Sequence, residues 1–545
     1  MLAFKHLFIV LAAPVYYWTA GVGLSSFRKP SPYLSSYVVL LGILAYGFVG
    51  ELSLIIGINY YYLSAGMTCL VLTVAFIRRD TFAALLPEFG YFLFYYLIAV
   101  LAATAVLFPI PGHWSGDWFE NYRLGRAVED GILAPDLVAR TPVFGASSLP
   151  VGLFTDGLCA LQITAALTSA AAAMAIRGIL QMLNKNKMAV EWSVLLLCLS
   201  GMYLQHSAFP WAKMLAAGCI FAAVGEIIGN PTAQRAARNS SLWLGTAIAV
   251  HQAAILFVPA VWCINFLWVE KAQATWWLKR AALFGIAVVL IALPYEIWTT
   301  LTFGLQEKLH RNPAVYFRVA DIGYVEATAG ILINSFVPDP RPFISLWANP
   351  DWGYPAGQIA TRLFFTLHYY TTSVAGTLFL AILPFLFFSN LRLVIVRAFR
   401  APTRPQIMII WAVVAAICGN AMLAAYSSPV GTLQAGLTPL GLAAVAGASI
   451  VVLRDPKVRL KAIVAVLLLQ TLPWFVLEIG LLLGAQNSAL RAKLLQWEPD
   501  FQLAAEHFGQ TLASRILPFQ VLLAAIALVI WIGLKKHSIG REEFI

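Results

Sequence analysis

Between residues 112 and 123 the chain reads Gly112-His113-Trp114-Ser115-Gly116-Asp117-Trp118-Phe119-Glu120-Asn121-Tyr122-Arg123, its densest polar stretch. Asp117 and Glu120 stand three apart, so on a helix they share one face. A carboxylate held where apolar meets polar surroundings can take the proton of an attacking hydroxyl, the work of a general base. The same residues also suit a plainer role. Asp117 could cap or open a helix, with Trp114 and Trp118 as anchors at a membrane surface.

Two cations accompany this acidic motif. Arg140 opens Arg140-Thr141-Pro142-Val143-Phe144-Gly145, and a guanidinium can fork onto a phosphate or simply meet lipid headgroups. Lys213 sits in Phe209-Pro210-Trp211-Ala212-Lys213. An intramembrane lysine costs a few kcal/mol on insertion scales, so it acquires a partner or snorkels to the interface. Glu51, Glu478 and His251 add ionisable groups inside apolar stretches, and with Lys213 they suggest a polar cavity opening outward. Arg341, in the stiff Pro338-Asp339-Pro340-Arg341-Pro342 run, joins them as a cavity candidate. No Walker A motif, nucleophile elbow or HExxH motif points to another chemistry.

The elements that must hold these groups are membrane helices. Of 545 residues, 60% are hydrophobic and 11% charged, and the mean hydropathy is +0.79. That excludes a water-soluble enzyme, which carries about a quarter charged residues, and a disordered chain. Continuous apolar runs, not alternating ten-residue segments, exclude a membrane barrel. The expected class is an all-α polytopic membrane protein. The net charge of +11 reflects basic cytoplasmic loops, not nucleic acid. The six cysteines, Cys69, Cys159, Cys198, Cys219, Cys263 and Cys418, form no CxxC pair, so neither disulfide nor zinc site is expected. The first apolar run reads as a retained helix, not a cleaved signal.

Spans are predicted at about 7–24, 34–57, 60–77, 91–108, 156–176, 191–205, 211–228, 281–300, 363–388, 406–426, 433–453, 462–484 and 516–534. The stretch 241–268 is too long for one straight span, and His251 and Gln252 interrupt it; a short helical hairpin fits. The expectation is thus about 13 transmembrane helices plus the hairpin. With the 109–155 loop outside, most of the 36 Lys and Arg fall inside, among them Arg177, Lys185, Lys187, Lys279 and Arg280, as the positive-inside rule requires. The organisation is then N-terminal helices over 1–108, a first outer loop over 109–155, and helices with the hairpin over 156–300. A second outer loop covers 301–362, and C-terminal helices over 363–545 include an outer loop at 485–515. No internal repeat of the transporter kind is present.

The acidic motif opening the first outer loop, the Arg140-Thr141-Pro142 element closing it, and Pro210-Trp211-Ala212-Lys213 followed by a second outer loop resemble the GT-C superfamily of integral-membrane glycosyltransferases. The resemblance covers about residues 109–370. It departs from the better-known members in having four spans, not one, before the acidic loop. It implies transfer of a sugar from a polyprenyl-phosphate donor to a hydroxyl of a glycan, lipid or protein acceptor at the outer face. Asp117 then takes the base role, with Glu120 second, and Arg140 and Lys213 hold the donor phosphate. The motifs specify no certain cofactor. A divalent metal is compatible, although Asp117 and Glu120 supply only two oxygen ligands. A single displacement of this kind inverts the anomeric centre. The expected setting is a bacterial inner membrane with the site facing the periplasm. Two alternatives share the outer basic cavity: a transporter or flippase for a lipid-linked saccharide, and an O-antigen ligase or polymerase relying on the 301–362 loop.

Overall fold

The computed structural model describes residues 2–25, 34–105, 115–183, 186–229, 234–259, 261–262, 274–311, 456–472, 475–476, 488–489, 492 and 512–542. Glu478, Arg341 and the predicted spans 363–388, 406–426 and 433–453 lie outside these. Among the described residues the chain is helical, without strands. Among the described residues five helices are long and apolar enough to cross a membrane, or up to seven if two bent pairs each count as one span.

The first four helices are α1 (Leu2–Ser25), α2 (Val38–Ile56), α3 (Tyr60–Ile77) and α4 (Arg79–Ala105). The segment predicted to be the first outer loop contributes α5 (Ser115–Asp130), α6 (Val143–Ser147) and α7 (Leu149–Gly152). Then come α8 (Gly157–Leu183), α9 (Lys187–Cys198), α10 (Gly201–Ala208), α11 (Lys213–Gly229) and α12 (Gln234–Val250). These are followed by α13 (Ala274–Ile291), α14 (Leu293–Phe303), α15 (Leu305–Arg311), α16 (Pro456–Val466), α17 (Leu512–Ile516) and α18 (Gln520–Glu542).

At the centre stands α8, 27 residues long and buried from Leu158 to Leu180, about 40 Å in all at the α-helical rise. Its run Ala165-Ala166-Leu167-Thr168-Ser169-Ala170-Ala171-Ala172-Ala173 is small, which lets α4, α10 and α11 pack on it closely. Elsewhere α1 lies against α2, and α12 against α11 and α13. The α1–α2 contact is backbone to backbone, since a Cβ on Gly21 or Gly42 would overlap a carbonyl oxygen of the other helix.

Side-chain bonds sort into two ends, as expected of helices that alternate in direction. At one end Arg515 links His6 (2.7 Å) and Asp156 (2.5 Å), and Gln520 donates to Thr104 (2.7 Å). At the other, Arg177 meets Glu88 and Glu191, and Glu226 accepts from Tyr37 and Asn239. Among the described residues, the predicted outer residues Glu51, Glu120, Arg140, Lys213 and His251 fall at the first end.

Several predicted boundaries need correction. The span 191–205 is two helices, α9 and α10, bent by 58° at Leu199-Ser200. The freed backbone groups are satisfied from a π-helical turn at Leu467–Thr471: Gly201 N–H donates to Gln470 Oε1 (2.9 Å), and Thr471 Oγ1 donates to the Leu199 carbonyl (2.7 Å). A broken helix in hydrocarbon persists only with such partners. The span 281–300 is α13 plus α14, bent by 47° where Pro294 enters the first turn of α14 and cannot donate to the preceding turn. The chain does break at His251, but the helix leading into it begins at Gln234, not 241, and a 3-10 turn, Gln252–Phe257, follows. Arg177 and Arg280, expected in cytoplasmic loops, are buried within helices. The first is paired with carboxylates, and the second lies 3.8 Å from the Trp276 ring centre.

Candidate functional site

The acidic motif is helical from Ser115 onward, so the Asp117 backbone lies in the first turn of α5, where an acid is favoured by the helix dipole. Three residues on, Glu120 forms an ion pair with Arg140. The acidic motif and the Arg140 element therefore meet, with these side chains about one third exposed (30% and 34%). A closed turn geometry permits it. Gly145 on α6 abuts the Asn121 carbonyl and lies against Gly125 of α5, where any Cβ would sit 2.7 Å from the Gly125 nitrogen. Further along α5, Arg123 donates in a fork to both Asp136 oxygens (2.5 and 3.0 Å), which holds its guanidinium pKa above the usual range.

The Arg140-Thr141 pair is anchored twice, once through a carbonyl and once through a side chain. Tyr295 on α14 donates its hydroxyl to the Arg140 carbonyl at 3.0 Å. Thr141 Oγ1 donates to the Val250 carbonyl, the last residue of α12, also at 3.0 Å. Beneath, Tyr60 donates to the Ala146 carbonyl (3.3 Å) and Tyr17 to that of Ser147. Tyr295, Leu124, Val128, Leu137 and Tyr60 form a separate hydrophobic cluster that seats the outer segment on the bundle.

Lys213 reaches the same region through Asn121. That side chain, buried beside Glu120 in the chain, donates to the Pro210 carbonyl at 3.1 Å. Pro210 begins the turn into α11, whose first residue is Lys213. A lysine at a helix N-terminus opposes the dipole. Here its ammonium lies 4.0 Å from the Trp211 ring centre, a cation–π contact that offsets part of that cost. Trp211 also contacts Phe209 and His206. The N-terminus and the ammonium together make a positive field suited to an anion.

The remaining candidates divide. His251 caps the 3-10 turn, its ring accepting from Ala253 N–H (3.3 Å), and its neighbour Val250 holds Thr141. Glu51 is buried near the end of α2 within electrostatic reach of Glu296, and among the described residues its Oε2 has no hydrogen-bond partner. Glu296 itself accepts from Gln252 (2.9 Å) and pairs with Lys308 of α15. Arg341 and Glu478 lie outside the described residues. Among the described residues no group of three or more His, Cys, Asp or Glu is placed to hold a metal.

Sequence context alone does not single out Asn121, Tyr295, Glu296 or Lys308 as site residues. Asn121 carried one signal, its place inside the acidic motif. Tyr295 carried none, since its partner is 155 positions away.

None of the protein-family models, characterised proteins or solved structures compared with the chain matches it.

Proposed function

We propose that this chain is a GT-C-type glycosyltransferase that moves a sugar from a polyprenyl-phosphate donor to a hydroxyl acceptor. The observation that carries the reading is the convergence of three separated motifs. Glu120 pairs with Arg140, and Asn121 is bonded to the turn that presents Lys213. An acid-bearing helix start and two cations thus share one end of the bundle, Arg140 about one third exposed and Lys213 buried. In this reading the fold has about 13 spans plus the hairpin. The chain sits in a bacterial inner membrane, and the site faces the periplasm.

The step is a single displacement. The acceptor oxygen attacks the anomeric carbon as its proton passes to the Asp117 carboxylate. The bond from that carbon to the phosphate oxygen breaks, and its electron pair leaves on polyprenyl phosphate. Arg140 and Lys213 stabilise the charge growing there, most effectively where water screens it poorly. Glu120 keeps the Arg140 guanidinium in place between turnovers.

The test uses protein purified in detergent, a panel of polyprenyl-phosphate hexoses, and glycan, lipid and peptide acceptors, with release of polyprenyl phosphate as readout. Turnover without a sealed bilayer is expected, whereas a flippase would show none. Asp117→Asn keeps size and capping ability but takes no proton. Its rate should fall about 10²–10⁴-fold with unchanged folding, since Asn caps as well as Asp. Near-normal turnover by Asp117→Asn would remove Asp117 from the mechanism.

A further inference from the structure

Arg140 lies in a segment without long secondary structure, yet its carbonyl and the side chain of the next residue are held by two different helices. The nearer elements, a 3-10 turn at Pro135–Leu137 and the five-residue α6, are too short to fix a side chain by themselves. The anchors come from distant helices: the Tyr295 hydroxyl on α14 and the Val250 carbonyl closing α12. Both contacts fall on adjacent residues, Arg140 and Thr141, and both use side-chain hydroxyls. Tyr295 is 1% exposed, so its ring is fixed by packing and its hydroxyl has a defined position. The α14 anchor is itself braced. Glu296, the next residue, is tied to Gln252 just past the α12 end, and to Lys308. The ends of α12 and α14 therefore form one unit with the Arg140-Thr141 backbone attached to it.

We infer that Tyr295 and Thr141 are positioning residues for Arg140, setting where its guanidinium stands for an anionic headgroup. The inference rests on the reading that Arg140 binds the donor phosphate. A core tyrosine with a merely satisfied hydroxyl would affect stability alone. A positioning tyrosine affects phosphate binding, and only while Arg140 is present.

The experiment measures the dissociation constant of farnesyl phosphate for the purified full-length chain in detergent, alongside thermal unfolding without ligand. Tyr295→Phe removes one hydroxyl, Thr141→Val removes the other, and Thr141→Ser keeps it. Loss of one neutral hydrogen bond should weaken binding about 2- to 12-fold in Tyr295→Phe and in Thr141→Val. Thr141→Ser should restore binding. In an Arg140→Ala background Tyr295→Phe should have no further effect, because the interaction it serves is already gone. Wild-type affinity in Tyr295→Phe or Thr141→Val would overturn the inference, as would full additivity with Arg140→Ala. Should Tyr295→Phe unfold, the Thr141 pair decides by the same criteria. Wild-type affinity in Arg140→Ala would instead remove the phosphate reading, and the positioning role with it.

Discussion

Two arginines near opposite ends of the bundle show how the same side chain serves different purposes. Arg177, about 30 Å along α8 from Gly157 at the helical rise, is closed in. Its side chain is 3% exposed, donates to Glu191 from Nε (2.8 Å), pairs with Glu88 and lies 3.7 Å from the Tyr91 ring centre. Tyr95 completes the set by donating to the other Glu191 oxygen (3.0 Å). At the far end Arg140 is one third exposed and meets Glu120 there, while its carbonyl is held from α14 and the hydroxyl of its neighbour Thr141 is held by α12. The first arrangement spends a charge on tying α4, α8 and α9 together. The second fixes where the chain stands and leaves the guanidinium within reach of solvent. A buried cation ringed by carboxylates and tyrosines reads as structure, and a half-open one on a braced backbone reads as a place for a ligand.

The largest effect should come from breaking the closed cluster. Arg177→Ala leaves Glu88 and Glu191 facing each other inside the bundle, and removing one partner of a buried pair costs about 3–5 kcal/mol. Thermal unfolding in detergent should show a marked drop or failure to fold. Stability within about 1 kcal/mol of wild type would mean that Arg177 is not the lock described here. The open end should respond the other way. Glu120→Gln keeps an oxygen for Arg140 but loses the charge, and exposed pairs are worth about 0–1 kcal/mol. Stability should hardly change, and turnover should fall by less than about tenfold. A loss as deep as that expected of Asp117→Asn would mean that the two carboxylates have exchanged roles.

These contrasts also mark what was legible in the sequence. The helical class followed from composition, because continuous apolar runs leave the backbone no other way to satisfy itself in lipid. The break at His251 was legible because polar residues interrupt an apolar run. The break at Leu199 carries only the short Ser200-Gly201 signal inside an apolar run, and its polar partners, Gln470 and Thr471, lie some 270 positions away. Arg177 looked like loop charge for the same reason: Glu88 is 89 residues distant. At the site, Asp117, Glu120, Arg140 and Lys213 stood out by type and setting. The bonds that bring them together, from Asn121 and Tyr295, depend on tertiary packing that no local spacing encodes.

The most direct test is a structure of the chain with a bound polyprenyl phosphate. The account predicts the phosphate at the α5–α6 end, with Arg140 and Lys213 nitrogens at charge-assisted hydrogen-bond distance, about 2.7–2.9 Å. A phosphate bound at the Arg177 end, or contacting neither Arg140 nor Lys213, would contradict it.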